Sequence, residues 1–239
     1  RVSSKRFSRS ALINLIRSLE GGVRKLTWEP GGTEWADYDA CGSYEDAALV
    51  EKKEKVAAFL ELLAPEEVWD LGANTGMFSR IACERGARVV AFDVDPGAVE
   101  RNYRQVKADG EPSLLPLCLD LVNPSPALGW ANRERSSLAE RGLPDAILAL
   151  ALVHHLVISN NVPLDRVSGF FAGLTDGLII EFVPKSDERV RTLLATRPDI
   201  FPGYTREGFE RAFAERWSIE EAAELEASDR VLYCLRRRP

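Results

Sequence analysis

Val68-Trp69-Asp70-Leu71-Gly72-Ala73-Asn74-Thr75-Gly76 decides the fold. A short apolar run ends in the pattern D-x-G-x-x-x-G and passes directly into a stretch with helical spacing. Glycine is required where backbone must turn sharply or approach a ligand closely, because a Cβ would collide there. Two glycines alone say little, but placed at a strand-to-helix junction they mark a binding turn. Further apolar runs follow at 89–92, 114–119, 146–153 and 178–183. Their apolarity is continuous, not alternating, as expected of strands covered on both faces of a parallel sheet. Helical stretches at 76–86, 96–108, 131–142 and 164–174 supply the crossovers. Right-handed crossovers then give an α/β fold, a doubly wound and mostly parallel sheet. Pro116 lies inside the third run, which places that strand at a sheet edge, where a missing N–H does little harm. Helices near 186–195 and 205–216 and strands near 218–225 and 230–236 close the chain.

Upstream, Ser8 or Ser10 can cap a helix with Leu12, Ile13, Ile16 and Leu19 at helical spacing, stopped by Gly21-Gly22. Residues 23–44 read as irregular and aromatic, a segment docked on the core or closing over a site. A second helix over 45–64 carries Leu49, Val56, Phe59, Leu60 and Leu63 on one side and ends at Pro65. The expected organisation is an N-terminal extension or lid, 1–44, before a main domain, 45–239.

The acidic strand ends carry the chemistry. Asp93 closes the second run, 17 residues after Gly76, where a carboxylate can accept both hydroxyls of a ribose. Asp120 closes the third, beside the backbone N–H of Leu121, where it can accept from an adenine amino group. Asp95, just before Pro96, reads as a helix cap. The first turn lacks the G-x-G-x-x-G of dinucleotide sites, and the chain has no G-x-x-x-x-G-K-[ST] phosphate loop. An acid at Asp70 repels phosphate and suits a cationic ligand with a ribose and an adenine.

These residues resemble the class I S-adenosylmethionine-dependent methyltransferases, over roughly Glu45 to the C-terminus. The likeness rests on Asp70 to Gly76, on Asp93, on Leu119-Asp120-Leu121, and on the fourth-run end Ala149-Leu150-Ala151-Leu152-Val153-His154-His155-Leu156. It implies a Rossmann-like sheet of seven strands with the last antiparallel, and S-adenosylmethionine as methyl donor. It implies Asp70, Gly72 and Asn74 at the methionine end, Asp93 at the ribose, and Ala73, Thr75, Gly76 and Val94 among the other cofactor-binding residues. It also implies Asp120 and Leu121 at the adenine, with Leu150 and Ala151 beneath the methyl. Trp35, Tyr38 and Tyr44 are the candidates in the extension for shaping an acceptor pocket.

For the acceptor side, His154 and His155 are the only histidines and stand together. An imidazole can take the proton of a nucleophile being methylated. Strand alternation lets at most one of them face the acceptor, and the other reading is packing at the strand end. Glu181 is a second acceptor contact or the partner of Lys185 or an arginine. Arg133, Arg135 and Arg141 can bind an anionic acceptor or lie on a solvated helix face. No N/D-P-P-Y/F follows the fourth run, and the residue set indicates no metal.

Composition sets the outer bounds. The 239 residues are 45% hydrophobic and 28% charged, enough for a full core. No stretch has the ~20 apolar residues of a membrane span. Cys41, Cys83, Cys118 and Cys234 stand far apart and read as reduced thiols in a cytoplasmic protein without a secretory signal. The start at Arg1 instead of Met reads as a piece of a longer chain. Residues 1–25 hold seven basic residues and one acid, leaving −12 on the remainder of a chain of net −6. That balance turns the reading from nucleic acid toward a small-molecule or glycan-like acceptor methylated on oxygen or nitrogen. The alternatives are an RNA- or ribosome-associated methyltransferase using the basic segment, and a nucleotide-binding scaffold without catalysis.

Overall fold

The computed structural model describes residues 8–30, 46–225 and 228–239. Trp35, Tyr38 and Tyr44 lie outside the described residues. Two helices lead the chain, α1 (Arg9–Val23) and α2 (Asp46–Leu63). Then strands and helices alternate: β1 (Glu67–Leu71), α3 (Met77–Glu84), β2 (Arg88–Asp93), α4 (Pro96–Asp109), β3 (Leu114–Cys118) and β4 (Ala146–Ala149). The order closes with α5 (Leu164–Ala172), β5 (Gly177–Phe182), α6 (Glu188–Ala195), α7 (Arg206–Ala214), β6 (Trp217–Glu224) and β7 (Val231–Arg237).

The seven strands form one sheet in the order β3-β2-β1-β4-β5-β7-β6. Strands β1 to β5 are mutually parallel, and β7 runs antiparallel between β5 and β6. The chain reverses its winding between β1 and β4, and ligands of open α/β sheets bind at such a switch point. Pro116 does lie on an edge strand, β3.

Continuous apolarity in the strands has its cause in two separate cores. On one face Trp69, Leu71, Ile147, Ile180 and Tyr233 pack with Phe171 of α5 and Phe209 and Phe213 of α7. On the other Val68, Val89, Ala91, Leu148, Ile179 and Leu232 pack with Val56, Phe59 and Leu60 of α2 and Ala82 of α3. Consecutive strand residues therefore serve opposite cores, and both must be apolar.

Three expectations need correction. Residues 131–142 form no α-helix. Two 3₁₀ turns, Trp130–Asn132 and Leu138–Glu140, stand there, and Ala131 and Asn132 adopt φ of +55°. The stretch lacks an apolar stripe to bury, so a Leu128–Arg135 bridge and a Ser137–Glu140 capping box organise it instead. Gly21-Gly22 does not stop α1, which continues to Val23 from a Ser8 cap. A Gly pair weakens a helix interior without forbidding it. The fourth strand ends at Ala149, and the apolar residues after it form a turn.

No residue of α1 is buried. Beyond it, Arg104 of α4 pairs with Glu29 at 2.9 Å and donates to the Trp28 carbonyl. Among the described residues no helix is long and apolar enough to cross a membrane.

Candidate active site

A cavity of about 490 Å³ opens at the C-terminal ends of β1 to β4. Its walls come from four segments: Gly72 and Asn74 after β1, Asp93 and Val94 after β2, Leu119 to Val122 after β3, and Leu150 to Leu152 after β4. His155, Leu156, Ser159, Asn160 and Leu193 of α6 complete it. The volume is in the range that holds a drug-sized ligand.

The first wall is a left-handed turn. Gly72 has φ of +79°, a backbone that favours glycine, and a Cβ there would stand 3.3 Å from the Leu152 side chain, so the β1 and β4 turns pack closely. Gly72 and Ala73 both donate their N–H to the Phe92 carbonyl, at 2.8 and 3.0 Å. Gly76, at φ +82°, begins α3, and a Cβ there would stand 2.5 Å from the Asn102 amide of α4.

Asp93 joins two of these segments. Its carboxylate accepts from the Asn74 N–H at 2.8 Å and the Asp95 N–H at 2.9 Å. Burial pushes its pKa up, against the backbone hydrogen bonds that favour the charged form. Asp95 caps α4 through Gly97 and Ala98. Asp120 accepts from the Val122 N–H at 2.9 Å, which turns the chain away from β3 and keeps its carboxylate exposed at the rim.

Asp70 faces elsewhere. It points into the α2–α3 core, where Ser79 of α3 donates to it at 2.6 Å. Burial raises its pKa to about 6, with the Ser79 hydrogen bond opposing. Because the native pKa exceeds that of the unfolded chain, the penalty on ionised Asp70 is full above pH 6 and fades as pH falls toward 4. Asp70→Asn is expected to raise stability at pH 7.5 by about 1–2 kcal/mol, a gain that fades below pH 6 and is gone by about pH 3.5. Urea unfolding at the two ends of that range checks it.

The remaining sequence candidates stand behind the wall. Thr75 opens onto a surface groove beside Arg80, and Ala73 packs on the α2–α3 core. Glu181 is fully buried and does not line the cavity. Its carboxylate accepts from Lys52 Nζ at 2.6 Å and from the Ala151 N–H at 2.8 Å, with Arg230 Nη1 at 3.5 Å. Lys185 instead pairs with Asp199. Arg133, Arg135 and Arg141 are exposed and outside the cavity wall.

The histidines separate. His155 lines the cavity at the start of a π-helical turn, His155–Ser159, while His154 is buried behind it with ring centroids 4.1 Å apart. Single π turns recur at functional sites. Here the extra residue brings Asn160 back to donate twice to the His155 carbonyl, through N–H at 3.1 Å and Nδ2 at 2.9 Å. Burial lowers the His155 pKa to about 4 and that of His154 well below the usual range. His154 Nδ1 has no hydrogen-bond partner among the described residues. Both rings are therefore neutral at pH 7, and His155 is the one that can meet a ligand.

Lys52, Leu152, Ser159, Asn160 and Leu193 escaped the sequence reading. Lys52 had a signal: it lies on the same stripe as Leu49, Val56 and Phe59, where a charge is out of place.

No family model matches the chain. It is 38% identical over 237 residues to nodulation protein NoeA of Rhizobium meliloti (strain 1021), covering 98% of this chain and 49% of that protein. It is 31% identical over 110 residues to the malonyl-[acyl-carrier protein] O-methyltransferase of Serratia marcescens, covering 42% of this chain and 43% of that one. The chain thus matches about half the length, or less, of these curated relatives. Among solved structures, N-methyltransferase NodS from Bradyrhizobium japonicum WM9, in complex with S-adenosyl-L-homocysteine, superposes with a TM-score of 0.59 at 13% identity. That match covers 86% of this chain and all (100%) of NodS. The strand order and the glycine turn at the switch point agree with this likeness, and the chain has a Rossmann-like fold with a seven-stranded, mostly parallel sheet, as NodS does.

Proposed function

We propose that this chain is an enzyme that transfers a methyl group from S-adenosylmethionine to an oxygen or nitrogen of a small-molecule or glycan-like acceptor in the cytoplasm. One observation carries the reading: a single cavity gathers the Gly72 turn, Asp93, Asp120 and His155 from the ends of four adjacent strands. The cradle fits the donor by its chemistry. Asp93 offers a carboxylate to vicinal hydroxyls, Asp120 an acceptor to an exocyclic amine, and Leu119, Leu121, Leu152 and Leu156 apolar walls to a planar base. The 31% identity with a named O-methyltransferase supports the same reading.

When bound, the donor supplies a methyl on a sulfonium, a group that leaves as a neutral thioether. The protein's part is mainly positioning, which holds the acceptor lone pair in line and excludes water. His155 acts at the acceptor end. Its neutral imidazole accepts a hydrogen bond from the acceptor's O–H or N–H, orients the lone pair, and takes the proton as the bond to carbon forms.

A thermal-shift series tests the donor. S-adenosylmethionine or S-adenosylhomocysteine at ~100 times its dissociation constant adds ~2.7 kcal/mol. For a chain of this size that raises the melting temperature by roughly 5–11 °C, with no shift from NAD. A shift with NAD alone, or with none of the three, overturns the reading.

A further inference from the structure

The turn after β4 holds a conformation that its own sequence does not favour. Ala151 has φ of +49°, a left-handed backbone in a residue with a Cβ, and it lines the cavity. Such a conformation persists where surrounding contacts over-determine it. The contact is Glu181 of β5, whose Oε2 accepts the Ala151 N–H at 2.8 Å and Lys52 Nζ at 2.6 Å. Lys52 comes from α2, 129 residues away in sequence, and is almost wholly buried, its ammonium 4.8 Å from the Phe78 ring centroid. Arg230 stands 3.5 Å from the same carboxylate and donates to Asp187, the cap of α6, at 2.7 Å. A hydrophobic pair of equal volume would serve packing as well or better, since burying two charges gains little stability.

We propose that Glu181, fixed by Lys52, is a positioning residue for methyl-donor binding: it locks Ala151 in its left-handed conformation and so sets the wall formed by Leu150, Ala151 and Leu152. Leu152 then packs against Gly72, which carries the constraint to the opposite wall. Lys52 Nζ and the Ala151 N–H converge on the same carboxylate oxygen, so Lys52 fixes where that acceptor stands, and the hydrogen bond to the amide offsets the backbone strain. The inference rests on the proposed methyl-donor function of the cavity.

Two neutral double variants isolate the amide contact. Lys52→Met/Glu181→Gln removes both charges and keeps a carbonyl for the Ala151 N–H. Lys52→Met/Glu181→Leu removes the charges and the acceptor alike. Calorimetric titration with S-adenosylhomocysteine is expected to give the Gln variant within about threefold of wild type and the Leu variant about tenfold weaker. Hydrogen exchange of the Ala151 amide in the ligand-free proteins gives a second readout, faster in the Leu variant only. Equal affinity and equal exchange in two folded variants would overturn the proposal while the donor reading stands. A wild-type protein that binds no S-adenosylhomocysteine overturns the donor reading, and the proposal with it. Should the Leu variant fail to fold, Lys52→Met/Glu181→Met against Lys52→Met/Glu181→Gln makes the same comparison without leaving a buried charge unpaired.

Discussion

On the proposed reading, Asp93→Ala is expected to weaken S-adenosylhomocysteine binding on the order of 100-fold, whereas His155→Ala is expected to change it less than about threefold and to lower turnover instead. The Asp93 carboxylate does two jobs at once. It offers charged acceptors to vicinal hydroxyls, and it receives the Asn74 and Asp95 amides that hold the β1 and β2 turns at their spacing. Alanine removes both and leaves two amides at the cavity wall without their acceptor. His155 lines the same cavity from the turn after β4, and its loss is expected to fall on the acceptor step. Calorimetry on both variants, with turnover measured once an acceptor is found, separates the two effects. Unchanged affinity in Asp93→Ala would remove the ribose assignment.

Acid is expected to lower the stability of this protein through its two histidines, by about 3 kcal/mol for His155 alone between pH 6.5 and 4. The sign follows from the direction of the shift. Burial holds His155 at about 4 in the folded chain, below the ordinary 6.5 of the unfolded one. Above pH 6.5 the ring is neutral in both states and full stability is present. As pH falls toward 4 the unfolded chain takes the proton and the folded chain does not. His154 adds a loss of the same sign, while Asp70, raised to about 6, works against both over the same interval. His155→Gln is expected to flatten the acid limb of the stability profile, and Asp70→Asn to steepen it. Denaturant midpoints at pH 7, 6 and 5 decide: a wild-type profile with the slope of His155→Gln removes the burial argument.

The sheet was legible because it is built from local signals. Apolar runs buried on both faces, glycines at the β1 turn and Pro116 on the edge each report a backbone constraint that their own residues carry. The 131–142 segment misled because charge density and length imitate a helix that has no face to bury. The end of β4 was misplaced for a related reason, since an apolar run reads alike whether it forms a strand or a buried turn. Asp93, Asp120 and the Gly72 turn were readable from their places at strand ends. Asp70 and Glu181 were not, because the face a side chain takes depends on α2, whose packing lies far off in sequence. The telling residue was Lys52, a cation in the middle of an apolar stripe, whose partner no local pattern could name.

The place of β7 bears on how the chain is made. The four strand ends that line the cavity are complete once β4 has been synthesised, yet β5 has its second neighbour only when β7 inserts between it and β6. Until then Ile179, Ile180 and Phe182 present an open parallel-sheet edge, the kind of surface that recruits other chains. Leu232, Tyr233, Cys234 and Leu235, all fully buried, are the residues that cover it, and they belong to the last strand of the sheet in chain order. A ribosome stalled before β7 would hold a nascent chain with its crevice outlined and its sheet edge still open to pairing.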